Sequence, residues 1–235
     1  MSLLTLVQSA TRRLGINTPA GVVLSSDPAV LQLLELANEE GRELGARTAW
    51  SALETAVTFT TVATESQGNI NTIAPNLKFI INNTIWNRTL RRPVFGPLSA
   101  QMWQQQKALF LQGPWNQFRI IGTSLNFIPV PVAGQTCAFE YITKAFATDS
   151  TGAVERTAFA DDGDLCKLDE EIMTLGLIWR WRQVKGLDFS ADYEKYERKV
   201  IDAIARDGTK PWLNASGGTG DLQPIVIVPA GSWNV

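Results

Sequence analysis

The order of apolar and polar positions divides the chain into a helical beginning, a strand-rich middle and a helical end. The clearest stretch runs from Leu165 to Gly208. Within it, Asp169 to Lys185 distributes Ile172, Met173, Leu175, Leu177, Ile178, Trp179, Trp181 and Val184 around nearly the whole helical circumference. A helix that is apolar on every side is buried on every side. Asp169, Glu170 and Glu171 fall in its first turn and Arg180, Arg182 and Lys185 in its last turns, the polarity that the helix macrodipole favours. Gly186 supplies the left-handed stop. Asp188 and Ser190 are candidate N-caps for a second helix that runs to about Arg206, with an apolar stripe of Tyr193, Tyr196, Val200, Ala203 and Ile204, and that Gly208 ends.

Two earlier segments have the same period. Leu3 to Leu14 places Leu3, Leu6, Val7, Ala10 and Leu14 on one side. After a loop from Gly15 to Ser26, Asp27 caps and Pro28 takes the first helical position. Val30, Leu33, Leu34, Ala37 and Leu44 then recur to about Arg47. Gly41 and Gly45 each cost about 1 kcal/mol relative to alanine inside a helix, and such glycines are tolerated more easily where another backbone packs close. These helices are the natural partners of the buried one.

At Trp50 the period changes to two. Ala56 to Ala63 reads as a strand, Gln67-Gly68-Asn69 as a turn, and Lys78 to Ile85 as a second strand closed by Arg91-Arg92-Pro93. Ser99 caps a helix from Ala100 to Leu111, stopped by Gly113-Pro114. A hairpin follows, Gln117 to Ile121 and Leu125 to Val130, turning at Gly122-Thr123-Ser124, with Pro129 and Pro131 marking an edge or an end. Thr136 to Thr143 alternates Ala138, Glu140 and Ile142 against Cys137, Phe139 and Tyr141, and Asp149 to Gly163 is a polar loop or long hairpin. Beyond Gly208, a Gly/Ser/Thr-rich linker from Asn214 to Asp221 leads into Pro224-Ile225-Val226-Ile227-Val228-Pro229. Such an apolar, β-prone run, if exposed, is an aggregation hazard unless a partner strand or groove receives it; the other reading is that it folds back as one more strand on its own sheet, but the glycine-rich spacer favours a partner.

Composition narrows the chemistry. With 235 residues, 45% hydrophobic and 19% charged, the chain is globular, and its net charge of -2 argues against wholesale neutralisation of phosphates. No apolar run reaches membrane-span length, and the N-terminus lacks the pattern of a secretory signal. There is no histidine, which removes the Ser–His and Cys–His nucleophile pairs and every histidine-containing metal site. Two cysteines, Cys137 and Cys166, cannot build a thiolate cage and suit a reducing cytoplasm.

The remaining motifs favour structure over catalysis. Trp179-Arg180-Trp181-Arg182 resembles a basic-aromatic nucleic-acid patch, but residues i and i+2 point apart, so the tryptophans read as core on different sides, with the arginines snorkelling outward. Asp161, Asp162 and Asp164 before Asp169, Glu170 and Glu171 lack the register of a calcium loop and read as an acidic approach to a helix N-terminus. Gly217-Gly218-Thr219-Gly220 lacks the lysine of a phosphate loop. Arg88, Arg91 and Arg92 are the densest basic cluster of the strand region. Nothing here joins a nucleophile to a base and an oxyanion site, so a non-enzymatic role is expected, with no cofactor and no metal.

Three stretches resemble the head-to-tail adaptors of tailed phages: Pro28 to Trp50, Trp86-Asn87-Arg88-Thr89-Leu90-Arg91-Arg92-Pro93, and Leu175-Gly176-Leu177-Ile178-Trp179-Arg180 with Lys185-Gly186-Leu187-Asp188. The order of helices, β domain and helices is similar to that of the tail tubular protein A group of short-tailed phages. The resemblance covers most of the chain in pattern, and its motifs are structural. It implies a homo-oligomeric ring, a dodecamer, docked beneath the portal protein in the virion after synthesis in the host cytoplasm. A tail nozzle or tail tube protein lies below, and double-stranded DNA passes non-specifically through the lumen. A mildly acidic chain suits such a conduit, because basic walls would hold the DNA back.

The expected fold is therefore α+β. Residues 1–54 and 165–208 form a helical bundle, 55–164 an inserted small antiparallel β domain, and 209–235 an extended C-terminal tail. Trp212, Leu213, Leu222, Ile225, Val226, Ile227, Val228 and Trp233 are the expected binding residues for the portal or a neighbouring subunit, with Arg88, Arg91 and Arg92 as a second docking surface. The alternative is a small-ligand or glycan-binding module using Trp86, Arg88, Trp103 and Trp115. A hydrolase working through carboxylates alone is a third reading.

Overall fold

The computed structural model describes residues 1–109 and 113–207. The tail residues expected to bind a partner, Trp212, Leu213, Leu222, Ile225, Val226, Ile227, Val228 and Trp233, lie outside this range, as does the stop expected at Gly208. The described chain is α+β, with six helices and antiparallel sheets. It begins with α1 (Leu3–Leu14) and α2 (Pro28–Arg47), then a 3-10 turn at Ser51–Leu53. The strand region comprises β1 (Glu54–Thr60), β2 (Ser66–Asn69), the short α3 (Ile70–Ile73), β3 (Leu77–Ile80), β4 (Trp86–Asn87) and β5 (Arg92–Pro93). It continues through α4 (Ala100–Ala108), β6 (Gln117–Ile121), β7 (Ser124–Ile128) and β8 (Thr136–Thr143). Three two-residue strands, β9 (Ala147–Thr148), β10 (Glu155–Arg156) and β11 (Leu165–Cys166), precede α5 (Glu170–Val184) and α6 (Ser190–Arg206).

The helix ends follow their local chemistry. The Ser2 hydroxyl accepts from the Thr5 N–H, Asp27 accepts from Ala29 with Pro28 next in line, and Asp169 accepts from Ile172. Of the two candidate caps before α6, Asp188 performs the role from one residue outside, accepting from the Ser190 N–H and hydroxyl. α5 is the centre: every residue from Ile172 to Trp181 is buried, and it packs against α1, α2 and α6. Each large apolar side chain so buried contributes roughly 1.5–3 kcal/mol. Gly41 faces an aromatic side chain and no backbone: a Cβ there would stand 2.3 Å from the Phe146 ring. Gly45 has only ordinary contact with Leu53 at 3.5 Å.

In the strand region the main sheet runs β1-β8-β4-β5, with β3 pairing β8 on the flank that β4 also uses. A second sheet runs β2-β7-β6 and a third β10-β9-β11. Several boundaries differ from the sequence reading. β1 ends at Thr60, because the Thr61 hydroxyl donates to the Val132 carbonyl and accepts from the Gln135 N–H. The strand expected from Lys78 to Ile85 stops at Ile80, where Thr84 folds back onto the Ile81 carbonyl. Gln67-Gly68-Asn69 lies in β2 and is not a free turn. α4 ends at Ala108, short of Leu111. Arg92-Pro93 is the second arm of a hairpin with β4. β8 is the central strand, with β1 on one edge and β3 and β4 on the other; Cys137, Phe139 and Tyr141 are buried on one face, while Ala138 and Ile142 are buried and Glu140 is exposed on the other. Its Cys137, Phe139 and Tyr141 join an apolar cluster with Phe118, Leu125 and Phe127, whereas Ile142 enters the cluster formed by the helices.

Candidate functional site

Arg88, Arg91 and Arg92 come together on the β4–β5 hairpin. Trp86 pairs with Pro93 and Asn87 with Arg92, leaving residues 88 to 91 as the loop. The buried Asn87 side chain fixes that loop: its carbonyl accepts from the Leu90 N–H at 2.9 Å, and its amide donates to Gln135 at 2.7 Å. The Arg88 N–H donates to the Thr136 carbonyl, and Thr136 returns a bond to the Thr89 hydroxyl. Arg91 sits at φ 55°, the left-handed conformation that closes the turn. All three arginines are exposed, and none forms an ion pair among the described residues.

Beside them lies an aromatic ledge of which the sequence singled out Trp115 but not Phe95. The Arg92 guanidinium stands 5.4 Å over the Trp115 ring, which meets Phe95 edge to face at 6.0 Å. Phe95 is 48% exposed and Trp115 43%. Guanidinium on an exposed aromatic pair is the composition of a protein contact surface. The glycan-site set does not assemble as expected: Trp86 and Trp115 reach the surface, but Trp103 is 1% exposed, the one buried residue of α4.

The tryptophan-arginine run of α5 needs a larger correction. Trp179 is core, packed among Phe189, Tyr193 and Tyr196 of the following segment. Arg180 does not snorkel. It is buried between α5 and α2, donating to Glu39 at 2.8 Å, Glu40 at 2.7 Å and Glu43 at 2.6 Å. Glu40 is fully buried, and among the described residues its second oxygen has no hydrogen-bond partner. Burial holds the Glu40 carboxyl above its ordinary range despite the Arg180 bond, whereas that same arginine pulls the half-exposed Glu43 below it. Burial alone would lower the Arg180 pKa, but its bonds to Glu40 and Glu43 outweigh this and raise it. Gly176 explains the close approach, because a Cβ there would stand 2.3 Å from the Glu40 carboxyl carbon. Nothing in the sequence separates this charge cluster from solvated glutamates on a helix face. Only the glycine opposite hints at it.

The acidic run before α5 also divides differently from the expectation. Asp169 caps α5, and Glu171 pairs with Lys199. Asp162 instead accepts from the backbone of Val22 and Val23, and Asp164 accepts from Ala160, Asp161 and Arg156. These carboxylates tie loops together across the chain. Among the described residues no three of them are grouped to hold a metal ion, and no helix is long and apolar enough to cross a membrane.

A groove of about 790 Å³ opens in the β region, lined by β3, α3 and the inner side of β6. Its lining is mixed, with Glu54, Asn71, Lys78, Asn82 and Thr123 among apolar residues, and among the described residues no Ser–His or Cys–His type pair lies within it. Comparison with protein-family models and with curated proteins returns no match for this chain.

Proposed function

We propose that this protein is a structural head-to-tail adaptor of a tailed phage. In this reading it forms a ring below the portal, receives the tail nozzle or tube, and lets genomic DNA pass. α1, α2, α5 and α6 form the bundle that packs ring against ring, residues 55–164 the inserted β domain, and residues 209–235 the arm that holds the portal or a neighbour. The observation that carries the proposal is the β4–β5 hairpin. Arg88 and Arg91 stand on a loop fastened by the buried Asn87 and Arg92 on the strand that follows, none ion-paired among the described residues, with the exposed Phe95–Trp115 ledge beside them, and Trp86 to Pro93 itself resembles the adaptors. A rigid basic-aromatic surface of this kind suits docking to a carboxylate-bearing protein face.

The experiment is recovery of the protein on portal-bearing particles. The full chain is expected to co-sediment with them, and truncation after Lys210 is expected to abolish that. Undiminished recovery of the truncated chain would remove the tail from the proposal, and failure of the full chain to bind would remove the proposal itself.

A further inference from the structure

β3 joins the flank of β8, but its own far side pairs with nothing among the described residues. Facing it across the groove stand Phe118 and Ile120 of β6. All six consecutive residues from Leu77 to Asn82 line this space. Neighbours along a strand point to opposite faces, so consecutive residues can line one groove only if it follows the strand's hydrogen-bonding edge. The groove therefore offers an unpaired backbone edge beside an apolar wall, with Phe79 43% exposed at its rim. This is the geometry that takes up a strand from outside, and one that is hazardous to leave open.

Two features of the chain say what fills it. The first is where the described chain ends. The Asp207 carboxylate accepts from the Ser51 N–H at 2.9 Å and from the Ser51 hydroxyl. Ala49 and Glu54, on either side of that turn, line the groove, so the described chain ends beside its mouth with residues 208 to 235 still to follow. The second is what they carry. Ile225-Val226-Ile227-Val228 is four β-branched residues between two prolines, the same length as β3. It is apolar on both faces, as a strand inserted between a sheet edge and an apolar wall must be. The prolines end its pairing at each side.

The spacer decides whose groove is filled. Residues 208 to 223 can extend about 50 Å, whereas β3 lies only two strand spacings from β1, about 10 Å. Returning to the chain's own groove would use a fraction of that length. The geometry points to this groove as the receptor for residues 224–229 of a neighbouring copy, added as a strand along β3. The inference rests on the ring reading above and deepens it, because each protomer's sheet is completed by the next.

The test mixes two full-length single variants, Asn71→Cys at the groove and Val226→Cys in the tail, under mild oxidation. It is run both free and on portal-bearing particles, with Ser150→Cys replacing the groove variant as control. A disulfide-linked dimer from the first pair, absent with the control, is the expected result. An intrachain link in the Asn71→Cys/Val226→Cys double variant, with no interchain dimer, overturns the inference in favour of the chain's own groove. No link in either setting also overturns it. Particle binding is scored in parallel. Docking that persists without the cross-link sinks only this inference, whereas a cross-link without docking sinks the adaptor reading.

Discussion

Replacing Arg180 with methionine isolates the energetics of the α2–α5 contact. The guanidinium makes three carboxylate contacts, but they are unequal. Glu39 and Glu43 have side chains 54% and 47% exposed, and such contacts contribute at most about 1 kcal/mol each. Glu40 is fully buried, and losing its partner leaves a carboxylate with neither water nor counter-charge, a change that costs roughly 3–5 kcal/mol. For a domain of this size 1 kcal/mol moves Tm by about 2–4 °C, so Arg180→Met is expected to melt about 10 °C lower. Thermal unfolding followed by far-UV circular dichroism measures this, and urea titration checks it.

Pairing the change with Glu40→Met should recover most of the loss, because two apolar side chains of similar volume no longer bury an unpaired charge. The pH dependence has a definite sign. Burial raises the Glu40 carboxyl in the folded state, so the folded form takes up its proton before the unfolded form does. Stability of Arg180→Met should therefore rise as pH falls from 7 through that raised value toward the ordinary glutamate range of about 4.3. In the unaltered protein the depressed Glu43 contributes the opposite slope: its stability is present above the ordinary glutamate value and is lost as pH falls through the depressed one. A loss below about 1 kcal/mol for Arg180→Met, or a double variant no better than the single, would refute the account of a desolvated pair.

Three further outcomes follow from other residues. Gly176→Ala should cost about 2 kcal/mol despite better helix propensity, since Arg180 pins the Glu40 carboxyl that its Cβ would strike, whereas Gly45→Ala should stabilise by up to about 1 kcal/mol; paired thermal melts decide both. Changing Arg88, Arg91 and Arg92 together to serine should lower Tm by only a few degrees, because none is ion-paired among the described residues and the exposed Arg92–Trp115 contact contributes about 0.5–1 kcal/mol, yet weaken binding to portal-bearing particles and flatten its salt dependence. Burial pushes both thiols up to about 11, so Cys137 and Cys166 should react with an aromatic disulfide about 100-fold more slowly than a free thiol at pH 8, and faster as pH rises toward 11; rapid labelling of the native protein would contradict the packing.

Legibility in the sequence followed the strength of the local signal. α1, α2, α5 and α6 were readable to within a residue or two because a sustained helical period runs through each, with Asp27-Pro28 opening α2, Asp169 capping α5, and Gly15 and Gly186 following α1 and α5. β8 was readable in extent but not in placement, since its alternating pattern does not reveal that partner strands flank both of its edges. The two-residue strands β9, β10 and β11 carry no period at all. The arginine hairpin was visible as a cluster, but its ledge was not, because Phe95 and Trp115 are distant in sequence and meet only through the bridge between Phe95 and Gln117. The groove was the least visible, since an unpaired edge depends on which strands fail to meet. Arg180 was misread because a buried guanidinium and a solvated one have the same letter and the same neighbours.

β8 has a mechanical consequence. Phe139 is packed into the strand cluster and Ile142 into the helical one, three positions apart on one strand whose backbone is hydrogen-bonded on both flanks. A pull applied at the arginine hairpin, which is bonded to the start of β8, is passed along eight residues to the helices as shear on many bonds at once, so no hinge yields first. The two regions are expected to tear or hold together, and stretching a single molecule should show one rupture event for the body of the protein, with no separate, weaker release of the sheets.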